Sequence, residues 1–294
     1  MNTKNLVTLK TILETGSFQK AADKLNFTQS TITFQIQQLE EELGICLFEK
    51  IGRRMVLTQE GRRILPEIDR ILEGVEKIKN YGKDASELTG VLRMAIPDSI
   101  LIYRMQPFIM AFMHEAPKVQ LIVNSIPSED INQALVEGTV DLGINCEKDR
   151  YPDTVEHKNL GNYQVMLIAS ATADQQHLDF INPHQKKEFS LICNEPKGYY
   201  QMKFDEYLKK KDIIMNPYMK VQSIEAVKQC VQSNLGVAVV PGYSVEKEIK
   251  EGTLIQVRTE LDERVYNGIC LYNKNKWISP QMKLALELLE KYHA

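Results

Sequence analysis

Three features of the sequence predict an α/β fold, α+β over the whole chain, built in three parts. Short helical stretches in the first sixty residues end in a basic hairpin. Isoleucines and a valine then recur at helical spacing from Ile64 to Ile78, and from Val91 onward strand-like and helix-like runs alternate to the C-terminus. At 294 residues, 43% of them hydrophobic, the chain exceeds one typical domain and can bury more than one core. A formal net charge of −3 argues against indiscriminate coating of nucleic acid or an anionic membrane, which needs broad positive charge. Any nucleic-acid contact must be local.

The start, MNTKNLVTLKTILETGS, lacks the long apolar run and small-residue cleavage site of a signal peptide or anchor, which predicts a cytoplasmic protein without membrane contact. Five cysteines, Cys46, Cys146, Cys193, Cys230 and Cys270, are far apart and odd in number. Their spacing suits neither a zinc site nor a redox pair, so reduced, mostly buried thiols are expected. The five histidines form no metal or hydrolase motif, so neither metal nor cofactor is expected and an enzyme is not the favoured reading.

Leu6, Leu9, Ile12 and Leu13 predict a first helix, capped by Asn2 or Thr3 and ended by Gly16. Ser17 caps a second, short helix whose Ala21 and Ala22 permit a close helix crossing, and Asn26 and Phe27 make the turn. Thr28 caps a third helix with Ile32, Ile36, Leu39 and Leu43 on its inner face. The outer face carries Gln29, Ser30, Thr33, Phe34 and Gln37, the position from which a recognition helix meets base edges in a major groove. A polar outer face is also what any solvated helix shows. Phe34 weakens that alternative, because a large exposed aromatic would either pack under the hairpin or meet a thymine methyl.

Leu47 to Leu57 reads as a hairpin with a basic tip, Lys50, Arg53 and Arg54. Residues 1–63 hold nine Lys and Arg against seven Asp and Glu, and three of the acids, Glu40, Glu41 and Glu42, lie at the far end of the third helix. The positive charge therefore gathers on the hairpin side, as phosphate clamping requires.

This run resembles the signature of LysR-type transcriptional regulators. The matching residues are Ala21, Ala22 and Leu25, then Gln29, Ser30 and Thr33, Gln35 and Ile36, Leu39 and Glu40, Leu43 and Gly44, Leu47 and Phe48, and Leu57, Thr58 and Gly61. Two positions depart from it: members usually carry arginine where this chain has Lys50, and often a polar or basic residue where it has Phe34. Lys50 still neutralises a phosphate but lacks the bidentate fork. The resemblance implies a winged helix-turn-helix over residues 1–58, a linker and dimerisation helix over 59–89 and an effector-binding domain over 90–294. It implies double-stranded promoter DNA as partner, contacted through Ser17, Thr28, Gln29, Ser30, Thr33, Phe34, Gln37, Lys50, Arg53 and Arg54, with RNA polymerase as a further partner.

After Thr58, the residues Ile64, Ile68, Ile71, Val75 and Ile78 form a short heptad seam, interrupted by Pro66 and Gly74 and followed by a linker-like Gly82 to Ser86. Such a seam needs a partner helix, unless it lies on its own domain. In the family this helix pairs subunits, which implies a homodimer or homotetramer.

From Val91 the runs VLRMAI, VQLIV and VDLGIN alternate with helical stretches at Leu101–His114 and Ile131–Glu137. A second set follows with YQVMLIAS, SLICN, a helix from about Met202, MKVQ, Ile224–Ser233 and GVAVVP, before YNGICLY and a last helix from Pro280. Two such lobes joined by crossing strands resemble periplasmic binding proteins: lobe I at about 90–161 and 266–294, lobe II at about 162–265. Ligands of such folds sit at strand ends and helix N-termini, where Asp98, Ser99, Ser125, Ser128, Asn194 and Ser223 fall. By resemblance, Ser99, Ser125 and Ser223 lie where family members contact a small-molecule effector. A serine before a helix is equally an N-cap, and Asp98 would repel an anion or favour an amine, so the ligand's charge stays open. The competing classes are a solute-binding protein, which the C-terminal part alone would fit, and an enzyme.

Overall fold

The computed structural model describes residues 2–51, 54–146, 151–261 and 265–293, and divides into two compact units, residues 1–82 and 83–294. In the first unit, α1 (Thr3–Thr15), α2 (Phe18–Leu25) and α3 (Gln29–Leu43) precede the hairpin β1 (Phe48–Ile51) and β2 (Arg54–Leu57) and the helix α4 (Gln59–Lys79). Each helix starts where a side chain caps it: Asn2 accepts from the Lys4 N–H, Ser17 from Lys20, Thr28 from Thr31 and Thr58 from Gly61. Gly16, Asn26 and Gly44 end the first three in left-handed conformation.

The core of this unit joins Leu6, Leu9, Ala21, Ala22, Ile32, Leu39 and Leu47. It also takes in the start of α4. Ile68 is 2% exposed, and Ile64, Leu65 and Leu72 pack against the same core, while Lys10 pairs with Asp69 at 2.9 Å. The predicted seam is therefore divided: Ile64 and Ile68 are consumed within their own unit, because the first turns of α4 lie on the helical body. Ile71, Val75 and Ile78 remain beyond them, Ile78 at 78% exposure. Pro66 sits inside α4 without ending it.

The second unit runs β3 (Gly90–Ile96), α5 (Asp98–Tyr103), α6 (Gln106–Glu115), β4 (Val119–Ser125), α7 (Ile131–Val136), β5 (Leu142–Cys146) and β6 (Val155–Ser170). It continues with β7 (Gln185–Cys193), α8 (Tyr199–Lys211), β8 (Ile213–Lys220), α9 (Ile224–Gln232), β9 (Gly236–Pro241), α10 (Glu246–Glu251), β10 (Leu254–Val257), β11 (Val265–Asn273) and α11 (Pro280–His293). The helix expected over Leu101–His114 is two helices, broken at Arg104 and Met105, with Pro107 in the first turn of α6 where its missing N–H costs nothing.

The strands order as β4-β3-β5-β11-β6-β9-β7-β8, with β10 on β6. Pairs among β3, β4 and β5 and among β7, β8 and β9 are parallel, whereas β6 and β11 run antiparallel to each other and to their neighbours. The 16-residue β6 thus crosses the whole unit, serving one group of strands with its first half and the other with its second. Two sets of cores flank the crossing. Phe108, Phe112 and Leu289 lie on one face of the first lobe and Ile131 and Leu135 on the other; Phe180 and Phe204, then Val227 and Val231, do the same in the second.

Candidate DNA-reading face and effector cleft

On the first unit, α3 is fastened from behind. Thr8 donates to Gln35 Oε1 at 2.6 Å and Asn5 to Gln38 Oε1 at 3.1 Å, which fixes the rotation of the helix and turns Gln29, Ser30, Phe34 and Gln37 to solvent. Phe34 is 63% exposed and stands outside the core, so it does not pack under the hairpin. Thr33 is half-buried and spends its hydroxyl proton on the Gln29 carbonyl, 2.9 Å away, which leaves it able only to accept. Thr28 bonds Ser30 and Thr31 across the first turn, and Ser17 is engaged as the cap of α2.

The wing is held by a residue whose role the sequence reading missed. Glu40, counted there as distant negative charge and as a match to the family signature, accepts from the backbone N–H groups of Leu47 at 2.6 Å and Phe48 at 3.1 Å, while Phe48 meets Phe18 edge-on at 5.1 Å. At the wing's other end Thr58 donates to the Cys46 carbonyl at 2.7 Å. Gly61 has no room for a side chain: a Cβ there would lie 2.8 Å from the Leu47 carbonyl oxygen and 2.9 Å from Leu57. Lys50 is exposed on β1 opposite Met55. Arg54 begins β2, and Arg53 lies outside the described residues.

In the second unit a cleft opens between the lobes, lined by Ser99, Ser128, Asn145, Cys146, Tyr163, Glu195, Tyr199, Tyr200 and Tyr243 among others. Its empty space, about 320 Å³, includes solvent on its open side. Of the six residues predicted here, Ser99 and Ser128 line the cleft. Ser99 is 6% exposed, with its hydroxyl 3.5 Å from the Tyr243 phenol.

The other four are placed differently. Ser125 is exposed at the end of β4, and Asn194 follows β7 outside the cleft lining. Ser223 caps α9 by accepting from Ala226 at 3.2 Å, the simpler of its two readings. Asp98 does not guard an open mouth: its carboxylate accepts from the Ile224 N–H at 2.8 Å and fills the α9 N-terminus from the opposite lobe. Glu195 makes the reciprocal contact, reaching from the second lobe to the Ser128 N–H at 3.0 Å. Tyr103 and Lys228 extend the bridge, Tyr103 donating to Glu225 and Lys228 reaching the Tyr103 oxygen at 2.5 Å and Glu248 at 2.8 Å.

Burial, with the nearby Glu195 charge adding to it, pushes the phenols of Tyr200 and Tyr243 up, and burial does the same to Tyr163. All three are neutral rings at physiological pH. Burial also raises the Cys193 thiol to about 11 and Cys270 to about 12, so neither is a thiolate. All five cysteines are free, with Cys46 exposed and Cys230 half-buried.

Comparison with known proteins decides between the classes. Residues 3–62 match the model of the bacterial regulatory helix-turn-helix protein, lysR family, and residues 85–294 match the LysR substrate binding domain. The chain belongs to the LysR family. The HTH-type transcriptional regulator YfiE of Escherichia coli (strain K12) is 34% identical over 291 residues, 99% of this chain and 98% of that protein. In fold, the chain resembles a full-length OxyR variant from Pseudomonas aeruginosa, with a TM-score of 0.71 at 20% identity over 100% of this chain and 97% of that one. It also resembles full-length CbnR in complex with its target DNA, with a TM-score of 0.59 at 21% identity over 99% and 100%.

This LysR-family protein is therefore a DNA-binding transcriptional regulator with an effector-binding domain, and neither an enzyme nor a solute-binding protein. Among its described residues no group of three or more His, Cys, Asp or Glu side chains is placed to hold a metal ion, and no helix is long and apolar enough to cross a membrane. The cleft tyrosines and Glu195 were missed in the sequence because they come from separate loops and strands. The run Glu195-Pro-Lys-Gly-Tyr-Tyr, with two aromatics and an acid just past a strand, was the one local hint.

Proposed function

We propose that this regulator reads an interrupted palindrome as a homodimer or homotetramer and that a small molecule held between its lobes changes the reading. Gln29, Ser30, Phe34 and Gln37 on the outer face of α3 contact base edges, with Thr33 as an acceptor. Ser17, Thr28, Lys50, Arg53 and Arg54 hold phosphates, and RNA polymerase is the partner of the activated complex. Ile71, Val75 and Ile78 pair two copies of α4, because their apolar surface lies beyond the core that takes up Ile64 and Ile68. The observation that carries the effector reading is the pair of bonds between the lobes, from Asp98 to Ile224 and from Glu195 to Ser128, flanking one cleft. A ligand entering there acts on both, and so on the angle between lobes and the spacing of paired recognition helices.

A gel-shift titration on the promoter nearest the gene, with and without metabolites and over a salt series, tests this. The expected result is a salt-sensitive specific complex whose affinity or bend changes with one metabolite and responds less to it in Ser99→Ala. No specific complex at any salt concentration sinks the DNA reading; a metabolite response untouched by Ser99→Ala sinks the cleft.

A further inference from the structure

We infer that the ligand of the interlobe cleft carries a cationic nitrogen, seated against the Glu195 carboxylate among the rings of Tyr199, Tyr200 and Tyr243. The inference rests on the cleft being the effector site and adds the chemical class of the effector. Among the described residues lining the cleft, Glu195 is the one acidic or basic side chain beside the phenols of Tyr163, Tyr200 and Tyr243, which burial keeps protonated. An anion entering this space meets like charge in a poorly solvated place.

Two of the groups that would ordinarily welcome an anion are already occupied by the protein's own carboxylates. The Ser128 N–H is taken by Glu195, and the N-terminus of α9 by Asp98 and by the hydroxyl of Ser223. The Arg104 guanidinium lies over the Tyr243 ring at 5.5 Å and lines an adjoining hollow that shares Ile100, Tyr163 and Tyr243 with the cleft. What the cleft offers is the Glu195 carboxylate, the Ser99 hydroxyl and four aromatic rings, of which Tyr163 and Tyr243 are in edge contact at 5.4 Å. Carboxylate together with π faces is the set that recognises an ammonium group.

Calorimetric titration of the full-length protein with butylammonium, tetramethylammonium and the matched anion pentanoate tests this. The ammonium probes are expected to bind and pentanoate not to, with Glu195→Gln weakening the ammonium probes about tenfold or more. Pentanoate binding as tightly as the amines, or amine affinity unchanged in Glu195→Gln, overturns the cationic ligand; if Ser99→Ala or Tyr243→Phe still weakens the bound probe, the cleft survives as the effector site. Binding of no probe, or binding indifferent to Ser99→Ala and Tyr243→Phe, removes the cleft reading and this inference together. The contrast between cation and anion is read on the unaltered protein, so a variant that fails to fold does not shelter the inference.

Discussion

The Asp98 carboxylate accepts a hydrogen bond from the Ile224 backbone N–H at 2.8 Å, joining residues 126 positions apart in two different lobes. It serves α9 as a second cap beside Ser223, but one supplied from outside the helix's own lobe. Asp98→Ala should therefore cost about 1 kcal/mol, the usual worth of a cap, and also loosen the lobes against each other. Urea unfolding would show the first effect and small-angle scattering a larger radius of gyration the second. An unchanged midpoint and radius would mean that the contact is incidental.

Gly61 tests the joint between wing and α4. Replacing it with alanine drives a methyl group to 2.8 Å from a backbone oxygen that Thr58 already uses, since the Leu47 carbonyl accepts the Thr58 N–H at 2.9 Å. The backbone cannot yield as a side chain could. We expect destabilisation of the first unit by about 1–3 kcal/mol and weaker operator binding, read by thermal unfolding and gel shift. A variant with native stability would show that the joint has slack.

On the reading face, Lys50 and Phe34 should behave in opposite ways. Lys50→Ala removes a phosphate contact, so affinity falls on all sequences alike and the slope of log K against log salt drops by about 1. Phe34→Ala leaves stability alone, because the ring is largely exposed, and instead reshapes base preference at one operator position. Binding selections on randomised half-sites would reveal it; an unaltered preference would reduce Phe34 to a surface residue.

Alkaline pH should weaken the second unit. Burial lifts the Cys193 thiol from the ordinary 9.0 to about 11 and Cys270 to about 12, so between those values the unfolded chain has given up protons that the folded chain keeps. The stability due to this is complete below about pH 9 and is lost as pH rises toward 12. The buried phenols of Tyr163 and Tyr200 act in the same direction. Urea midpoints measured upward from pH 8 under reducing conditions should fall, while iodoacetamide at pH 8 labels Cys46 well before Cys193 or Cys270. Midpoints flat to pH 10, or uniform labelling, would contradict this.

Local chemistry made the first unit legible. Ser17, Thr28 and Thr58 cap helices within three residues of themselves, and Gly16 and Gly44 end them, so each boundary is written where it acts. The cleft obeys a different rule. Strand ends are correct landmarks for it, and Ser99 and Ser128 do line it, yet Ser125 and Asn194 stand just as close to strand ends and do not. Which side chain turns inward depends on loops that pack against residues far along the chain. Glu195 is 67 positions from the backbone group it binds, and no local pattern announces that. Likewise the seam of α4 was periodic throughout, but periodicity does not say which body each turn meets, and Ile68 met its own.

The reciprocity of Asp98 and Glu195 carries a consequence for how this regulator can diverge. Each lobe keeps a backbone N–H whose acceptor is stored in the other, so neither half is chemically complete when exchanged alone. A chimera that borrows one lobe from a relative must bring along the matching carboxylate or strand a donor at the seam.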